Sequence, residues 1–375
     1  MDGAPAAFFL YRDSPLRREA LHRPPGAGER YCLYGLDEIA ASGVRVRHNL
    51  EPAFAPGALT RTTARVLDRA VRLGGGYSGD FARVLACRRE LNRADVVFST
   101  VDTVGIPLAL LGRLGLVRPP VVYAAIGLPE RLSQLRTAFA RRLFRDAYGR
   151  LHTVVAYGWG EVEDLRRWLG DTGPRVEFVP FGVDTNVFRP DPGISIQEDV
   201  VSVGADPRRD FPLLVDLARR LPQRSFRIVA SADNARLLGE RPANVALEVD
   251  VPFHRVSERL LGARAVVLPV GQNSYSGATT TLLQAMACGK PVVVTRTAAI
   301  ERGYHLEDGS NCRLVPPGDL AALEAAVVGV LEDDLVAGSL GVRARETVEQ
   351  HLTWERYTDT VRGLLLAAAR NTVPA

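Results

Sequence analysis

Lysine is almost absent from this sequence of 375 residues. Lys290 is the only lysine among 47 basic residues, so arginine carries nearly all of the positive charge. Arginine stays protonated and offers a planar fork of donors, so any anion that the protein binds must be held mainly by arginine. The net charge of +4 is too small to indicate nucleic-acid binding, and we expect no nucleic-acid partner.

Cysteine and long apolar runs are also scarce. No two cysteines form a C-x-x-C pair, which argues against a zinc site or a disulfide framework and predicts buried thiols. The four cysteines are Cys32, Cys87, Cys288 and Cys312. No stretch approaches the ~20 apolar residues of a membrane span. The short apolar run at 8–11 has no basic region before it, so we expect no signal peptide and a cytoplasmic protein.

What the sequence does contain is a repeated alternation of short apolar runs and amphipathic stretches. This rhythm predicts an α/β protein with parallel sheets covered on both faces. In the first half, Ala6–Tyr11 is predicted as a strand, Arg12–Pro25 as a loop and Gly28–Ser42 as a helix. The turn residues and prolines of Phe181–Ser195 predict a linker. Two such halves suggest paired Rossmann-like domains that face a cleft.

The stretch Ser274–Thr295, SYSGATTTLLQAMACGKPVVVT, predicts a turn, a short helix and a buried strand. Apolar residues at helical spacing give the helix one buried face, and Gly289 predicts its end. Hydroxyl side chains and Gly277 crowd the start of that helix, where unpaired N–H groups and the helix dipole favour a phosphate. The alternative is an ordinary N-cap, because serine and threonine are favoured there whatever the function.

Five segments of the second half occur in the order found in a known family. They are VPFGVDTNVFRP (179–190), VSVGADPRRDFPLLVDLARRLP (201–222), ARAVVLPV (263–270), YSGATTTLLQAMACGKPVVVT (275–295) and NCRLVPPGDLAAL (311–323). This order resembles the retaining GT-B glycosyltransferases, specifically glycosyltransferase family 4, the glycosyl transferases group 1. The resemblance implies two Rossmann-like doubly wound domains and a last helix that crosses back to the first domain. We accordingly predict an acceptor-binding domain at 1–185, a nucleotide-sugar-binding domain at 196–352 and a returning helix at 353–375.

The resemblance places the diphosphate of a nucleotide sugar against a glycine-containing loop, here Gly204 to Asp210. Bidentate, charge-assisted contacts make Arg208 or Arg209 the implied diphosphate ligands and the residues assigned to catalysis. An arginine here must replace the lysine that this family commonly uses. The alternative is a solvated turn in which the arginines pair with Asp206 and Asp210.

The family's pair of glutamates, eight positions apart, is missing from this sequence. The matching positions hold Ser276 and Gln284. Gln284 can still bind ribose hydroxyls through its amide, and Ser276 could serve the phosphate or the sugar. The nucleobase is implied to lie near Phe253, whereas the adjacent His254 is more simply a surface histidine. The implied donor-binding residues are Gly204, Gln272, Ser274, Tyr275, Ser276, Gly277, Ala278, Thr279, Thr280, Gln284 and Phe253.

The amino-terminal half is implied to bind the acceptor. In its glycine-containing loop, Gly26 and Gly28 would allow the backbone to approach a phosphate or sugar closely. Many relatives carry a histidine after the fourth strand, but residues 124–130 contain none, and Glu130 is the candidate acceptor contact. Asp13 is assigned to the same acceptor side.

The stretch Arg131–Arg150 is rich in arginine among leucine, phenylalanine and alanine. A basic amphipathic helix of this kind can lie on an anionic bilayer, and many relatives act on lipid-linked acceptors. The alternative is a helix that packs on the sheet and exposes a solvated basic face. The pattern therefore permits peripheral membrane contact without requiring it.

The activity that the resemblance implies is transfer of a sugar from a nucleotide-sugar donor to an acceptor hydroxyl, with retention of configuration. The acceptor is expected to be a small molecule, a lipid-linked compound or a glycan. No cofactor and no metal are expected, since the sequence has no Asp-x-Asp motif. The arginines and the helix that begins near Gly277 would stabilise the leaving diphosphate.

Two alternatives stay open. The segment SGATTTLLQAMACGKP also resembles the donor loop of inverting GT-B transferases, for which Asp13, His48 and Asp102 are candidate general bases by position. The missing glutamate pair also fits a GT-B domain that binds a nucleotide or a partner without catalysis.

Overall fold

The structure, a computed structural model, describes residues 4–25, 28–171, 173–275 and 277–370. The chain divides into two compact units. The first unit comprises the chain up to Tyr157, residues 161–179 and the chain from Tyr357 onward. The second unit comprises Gly158–Gly160 and Pro180–Arg356.

The first unit is built on a parallel sheet. Its strands are β1 (Ala6–Leu10), β2 (Arg45–His48), β3 (Val96–Ser99), β4 (Val121–Ala125), β5 (Thr153–Ala156) and β6 (Arg175–Phe178). Within the described residues they lie in the order β2-β1-β3-β4-β5-β6. Every residue of β3, β4 and β5 is buried, as expected of parallel strands with helices on both faces.

The helices of the first unit alternate with these strands. They are α1 (Pro15–His22), α2 (Leu36–Ala41), α3 (Ala58–Leu73), α4 (Phe81–Leu91), α5 (Asp102–Arg113), α6 (Leu128–Ser133), α7 (Ala138–Gly149) and α8 (Trp159–Leu169), with 3₁₀ turns at Gly28–Leu33 and Pro52–Phe54. The core between helices and sheet is apolar and includes the rings of Phe8, Phe81 and Phe144. The alternation of strand and helix confirms the α/β prediction for this half.

The second unit repeats the plan. Its strands are β7 (Glu198–Gly204), β8 (Phe226–Ala230), β9 (Val245–Val249), β10 (Ala263–Leu268), β11 (Val292–Thr295) and β12 (Arg313–Val315). Its helices are α9 (Phe211–Arg220), α10 (Ala232–Arg236), α11 (Phe253–Leu261), α12 (Thr279–Ala287), α13 (Leu320–Glu332) and α14 (Asp334–His351). The strands are parallel and lie in the order β12-β11-β10-β7-β8-β9 within the described residues. Two doubly wound units confirm the predicted fold class.

The last helix, α15 (Trp354–Arg370), begins in the second unit and continues in the first. In the first unit its side chains Val361, Leu365 and Ala368 are buried. The hydroxyl of Tyr357 lies 3.1 Å from that of Tyr157. This helix therefore contributes to the interior of the first unit.

Two predicted elements of the first half are wrong. The predicted loop Arg12–Pro25 contains helix α1, because Pro15 occupies the first turn and Ser14 Oγ accepts from the N–H of Arg17 at 3.4 Å. The predicted helix Gly28–Ser42 is a 3₁₀ turn followed by α2. It breaks because Tyr34 and Gly35 adopt positive φ values of 56° and 84°.

The stretch predicted as a linker, Phe181–Ser195, is largely packed into the second unit. Val183 pairs with Thr353 in a parallel bridge, and the Phe188 ring contacts the Phe253 ring edge-on with 5.5 Å between centroids. The prolines and turn residues of this stretch thus belong to a packed connection.

All four cysteines are free and buried, as predicted for thiols without a C-x-x-C pair. Burial raises the pKa of each thiol, to about 11 for Cys32 and about 12 for Cys87, Cys288 and Cys312. A separate finding is that none of the described helices is long and apolar enough to cross a lipid bilayer.

Candidate functional site

The candidate site lies where the strand order of the second unit reverses. The chain runs from β7 outward to β9 on one side and then places β10 on the other side of β7. In open parallel sheets, ligands bind beyond the carboxyl ends of the strands at such a point. The loops that follow β7 and β10 meet there, since the N–H of Asp210 donates to Pro269 O at 2.9 Å and that of Gly271 donates to Arg208 O at 2.8 Å.

Arg209 is the most unusual side chain of this site. It is only 5% exposed, and its Nη2 donates to the carbonyl of Val203. Its Nε and Nη1 are buried and have no hydrogen-bond partner among the described residues. Burial lowers the pKa of the guanidinium to about 10, partly offset by the nearby charge of Asp206, so Arg209 is still a cation at neutral pH. A buried cation with two unused donors is suited to an incoming anion.

Gly204, the last residue of β7, makes room for this guanidinium. A Cβ atom at Gly204 would collide with Nε, Cζ and Cδ of Arg209. The glycine therefore sets where the charge lies, a role that differs from direct contact with a ligand.

Asp206 connects the two loops. Its Oδ1 accepts from the N–H of Arg208 at 2.8 Å and from the hydroxyl of Tyr275 at 3.2 Å. Its backbone carbonyl accepts from Nδ2 of Asn234 at 2.9 Å. Burial raises the pKa of the Asp206 carboxyl, while these donors and the adjacent arginines oppose the shift. The loop is thus held in shape without a hydrogen bond from the Arg209 side chain to its carboxylate.

The start of α12 and the loop after β10 add one unused polar atom each. The side chain of Thr279 is buried, and its Oγ1 has no hydrogen-bond partner among the described residues. The same holds for Oδ1 of Asn273, whose Nδ2 donates to Gly271 O at 2.8 Å. The residue before the helix, Ala278, supplies no side-chain cap to the first N–H groups of α12, and N–H groups at such a helix start can bind an anion.

The remaining residues predicted to bind the donor differ in their exposure to solvent. Gln284 is buried on α12, Gln272 is exposed, and Ser274 and Thr280 are half-buried. Arg208 is exposed, unlike its neighbour Arg209. Phe253 begins α11, with His254 exposed beside it. Ser276 lies outside the described residues.

Sequence reasoning missed the contribution of Gly158 and Gly160. Within the second unit, a Cβ at Gly158 would collide with the backbone at Ser274, and one at Gly160 would press on Ala298. The Gly160 N–H donates to Ala298 O at 2.9 Å. The Gly-Trp-Gly pattern of 158–160 was the available signal for such a close backbone approach. Asp206 and Asn273 carried no signal, because their roles depend on contacts between loops.

In the first unit, the strand order reverses between β1 and β3, and Asp13 follows β1 there. Asp13 forms ion pairs with Arg18 and Arg83, which lower the pKa of its carboxyl. Burial lowers the pKa of His48, whose Nδ1 accepts from the N–H of Leu50 at 3.3 Å. Asp13 is therefore a poor proton acceptor at neutral pH, which argues against its candidacy as a general base.

The other residues predicted to bind the acceptor lie in different elements of the first unit. Gly28 opens the 3₁₀ turn, and Glu130 is half-buried on α6. Gly26 lies outside the described residues. The predicted stretch Arg131–Arg150 is two helices, and Arg131 points inward to Asp102 and stacks over Tyr77 at 4.0 Å.

The turn after β4 brings two fully buried carboxyl groups onto three consecutive N–H groups. Asp102 Oδ1 accepts from Tyr123 Oη at 2.8 Å and from Ile126 N at 3.4 Å, and its Oδ2 accepts from Arg131 Nε at 3.1 Å. Glu161 Oε1 accepts from the N–H groups of residues 127 and 128 at 2.8 and 3.0 Å. Its Oε2 is buried without a hydrogen-bond partner among the described residues.

Burial raises the pKa of both groups, to about 6 for Asp102 and well above the usual range for Glu161, where the Asp102 charge adds to the effect. Of the two groups, only Asp102 has an ion-pair partner in the described part of the chain, and that partner is Arg131. We therefore assign the negative charge to Asp102 and the bound proton to Glu161 at neutral pH.

Glu161→Gln tests this assignment. Native Glu161 retains a proton that the unfolded chain loses above its ordinary pKa of 4.5, so stability should fall as pH rises. The amide keeps the acceptor for the two N–H groups and removes the titration. We expect the urea midpoint of the variant to decline less than that of the wild type between about pH 5 and about pH 8, with Asp102 causing the remaining decline. Parallel pH profiles would contradict a protonated Glu161.

Two solved structures share this fold along nearly the whole chain. Sucrose-phosphate synthase from Thermosynechococcus elongatus has a TM-score of 0.74 at 16% identity, covering 98% of this chain and 100% of that chain. Anabaena HepE in complex with UDP-glucose has a TM-score of 0.69 at 17% identity, covering 97% and 100%. The chain has the fold of the GT-B glycosyltransferases.

The family match lies in the second unit. Residues 198–333 match the family described as Glycosyl transferases group 1, which confirms the resemblance in the half that contains the candidate site. A curated relative, the phosphatidyl-myo-inositol mannosyltransferase of Mycolicibacterium smegmatis, is 29% identical over 206 residues, or 51% of this chain. The match spans about half of that relative, 52% of its length.

Proposed function

We propose that the protein transfers a sugar from a nucleotide-sugar donor to an acceptor hydroxyl, with retention and without a metal. The observation that carries the proposal is Arg209, a buried cation with two unused N–H donors. It lies where the strand order of the second unit reverses, in the part of the chain that matches the family. The leaving diphosphate develops negative charge as the sugar departs, and a preorganised cation stabilises that charge.

We assign the donor to the second unit. Arg209 and the first N–H groups of α12 bind the diphosphate, and Gln284 binds the ribose. Arg208, being exposed, can reach the diphosphate only from the solvent side. Anabaena HepE, which shares the fold, binds UDP-glucose, and this supports a nucleotide sugar as the donor class.

We assign the acceptor to the first unit and propose a lipid-linked compound. The Mycolicibacterium smegmatis relative is named for a phosphatidyl-myo-inositol acceptor and a mannosyl donor. Asp13 and Glu130 are half-buried polar side chains that follow β1 and β4, at the carboxyl ends of strands of the first unit.

A thermal-shift panel of UDP, GDP, TDP and ADP tests donor binding. A ligand at ~100 times its Kd raises the free energy of unfolding by ~2.7 kcal/mol. We therefore expect a clear rise in melting temperature with one of the four nucleotides. Nucleoside monophosphates are the control, because they lack the second phosphate that Arg209 is proposed to bind. No shift with any diphosphate would reject the transferase proposal.

The matching nucleotide sugar, incubated with the protein and chelator, should release free sugar or glycosylate an added acceptor. Retention of the donor's anomeric configuration, read by NMR of the product, is the expected outcome. Inversion would replace the retaining proposal with the inverting one, and nucleotide binding without any turnover would favour a binding domain.

A further inference from the structure

We propose that a surface of the first unit, formed by α3 and the start of α7, docks on an anionic lipid bilayer. The α3–α7 surface consists of the apolar side chains Leu59, Val66, Leu73 and Phe139 and the arginines Arg61, Arg65, Arg69, Arg72 and Arg142. It deepens the proposed function, because a lipid-linked acceptor is presented at a bilayer.

Helix α3 has an apolar stripe on the side away from the core. Ala64 is its buried residue, and Leu67 and Val71 pack on the same core. Leu59, Val66 and Leu73 are instead 81%, 66% and 77% exposed. Seven-residue spacing places these three on one face of the helix, about 21 Å from end to end. Single exposed apolar residues are common, but a row of this length is not.

A row of arginines borders the stripe on α3. At 100° per residue, Arg61, Arg65, Arg69 and Arg72 fall within about a quarter turn of one another. Arg65 and Arg69 are exposed and have no ion-pair partner in the part of the chain that the structure describes. The acid on this helix, Asp68, already accepts from Arg72 at 3.0 Å and from the hydroxyl of Ser78.

Helix α7 extends the same surface. The end of α3 meets the start of α7, since the N–H of Arg136 donates to Gly74 O at 3.0 Å. A Cβ at Gly74 would lie 3.0 Å from the Ala140 methyl group. Leu73 and Phe139 are each one residue from this contact, and Phe139 is 77% exposed. Arg142, one turn further along α7, is exposed as well.

Apolar side chains flanked by arginines, of which Arg65 and Arg69 have no ion-pair partner among the described residues, match a bilayer interface with anionic headgroups. A second copy of the chain fits less well. A symmetric pair would bring the two arginine rows together, and four apolar side chains, three on α3 and one on α7, cover too little area for a stable dimer. The positive charge of the surface thus favours an anionic bilayer over a second copy of the chain.

Co-sedimentation with lipid vesicles tests the docking without donor or acceptor. We expect the full chain to bind vesicles of phosphatidylcholine with about 30% phosphatidylglycerol, and to be released by high salt. The variant Leu59→Gln/Val66→Gln/Leu73→Gln keeps good helix formers and should bind at least about tenfold less. Arg65→Glu/Arg69→Glu should lose binding to a similar degree.

Matched controls come from exposed sites of the second unit. Leu335→Gln/Val342→Gln removes exposed apolar groups from α14, and Arg219→Glu/Arg236→Glu reverses exposed arginines, so both should bind like the wild type. Absence of vesicle binding, or equal binding by all variants, would overturn the proposal. A dimer that the α3 variant disrupts would identify a second copy as the occupant instead. Donor hydrolysis, measured separately, reports on the transferase proposal alone.

Discussion

Arg209→Ala will abolish the stabilisation of the protein by its nucleoside diphosphate and lower kcat/KM for donor cleavage by about two to three orders of magnitude. The variant removes a buried cation whose Nε and Nη1 have no partner among the described residues. Nothing else in the loop carries charge at the same depth, because Arg208 is exposed. Thermal shift and a hydrolysis assay measure the two effects.

The stability of the unliganded Arg209→Ala protein separates a functional role from a structural one. A buried guanidinium with unused donors costs stability when no anion is bound, so the melting temperature without nucleotide should stay the same or rise. Arg219→Ala on α9, whose arginine is exposed and paired with Asp216, is the matched control and should behave as wild type in every assay. A strongly destabilised Arg209→Ala protein, or one that retains its nucleotide response, would reject the assignment.

Gly204→Ala is expected to lower donor cleavage by about ten- to a hundredfold while leaving every charge in place. The backbone of Gly204 has no positive φ, so alanine is permitted there. Its methyl group would collide with Nε and Cζ of Arg209 and push the guanidinium out of position. In the same hydrolysis assay, Gly204→Ala therefore tests the position of the guanidinium, whereas Arg209→Ala tests its charge.

Gly338→Ala is the control for this second substitution, since a Cβ at Gly338 in α14 would meet no atom within 4 Å. It should leave cleavage and nucleotide binding unchanged. A Gly204→Ala protein with normal kinetics would show that the guanidinium can move without consequence, and the diphosphate contact would then have to be sought elsewhere.

Local sequence predicted the elements of the candidate site well. The turn, helix and strand of 274–295 appear as α12 and β11, because helical apolar spacing and the positive φ of 69° at Gly289 are local properties. The choice between Arg208 and Arg209 could not be made this way. Adjacent residues in a loop have no periodicity, and only the packing against Val203 and Gly204 buries one of them.

In the first unit, too, local features could be predicted from the sequence and features that depend on tertiary contacts could not. Its strands followed from short apolar runs, whereas α1 was missed because its mostly polar sequence conceals a serine cap and a proline start. Asp13 looked like a candidate base until the fold placed Arg83, far away in sequence, beside it. The proton on Glu161 was equally invisible, because it arises from burial beside Asp102.

The path of α15 has a consequence for biosynthesis. The second unit is almost continuous, so nearly all of its residues have been translated once the ribosome has added Arg356. The first unit still lacks Val361, Leu365 and Ala368, which are buried in it. Domains usually complete folding in the order of their synthesis. Here the half that is made first must wait for residues beyond 356, so chains that end at Arg356 and have left the ribosome should hold a finished second unit and an unfinished first one.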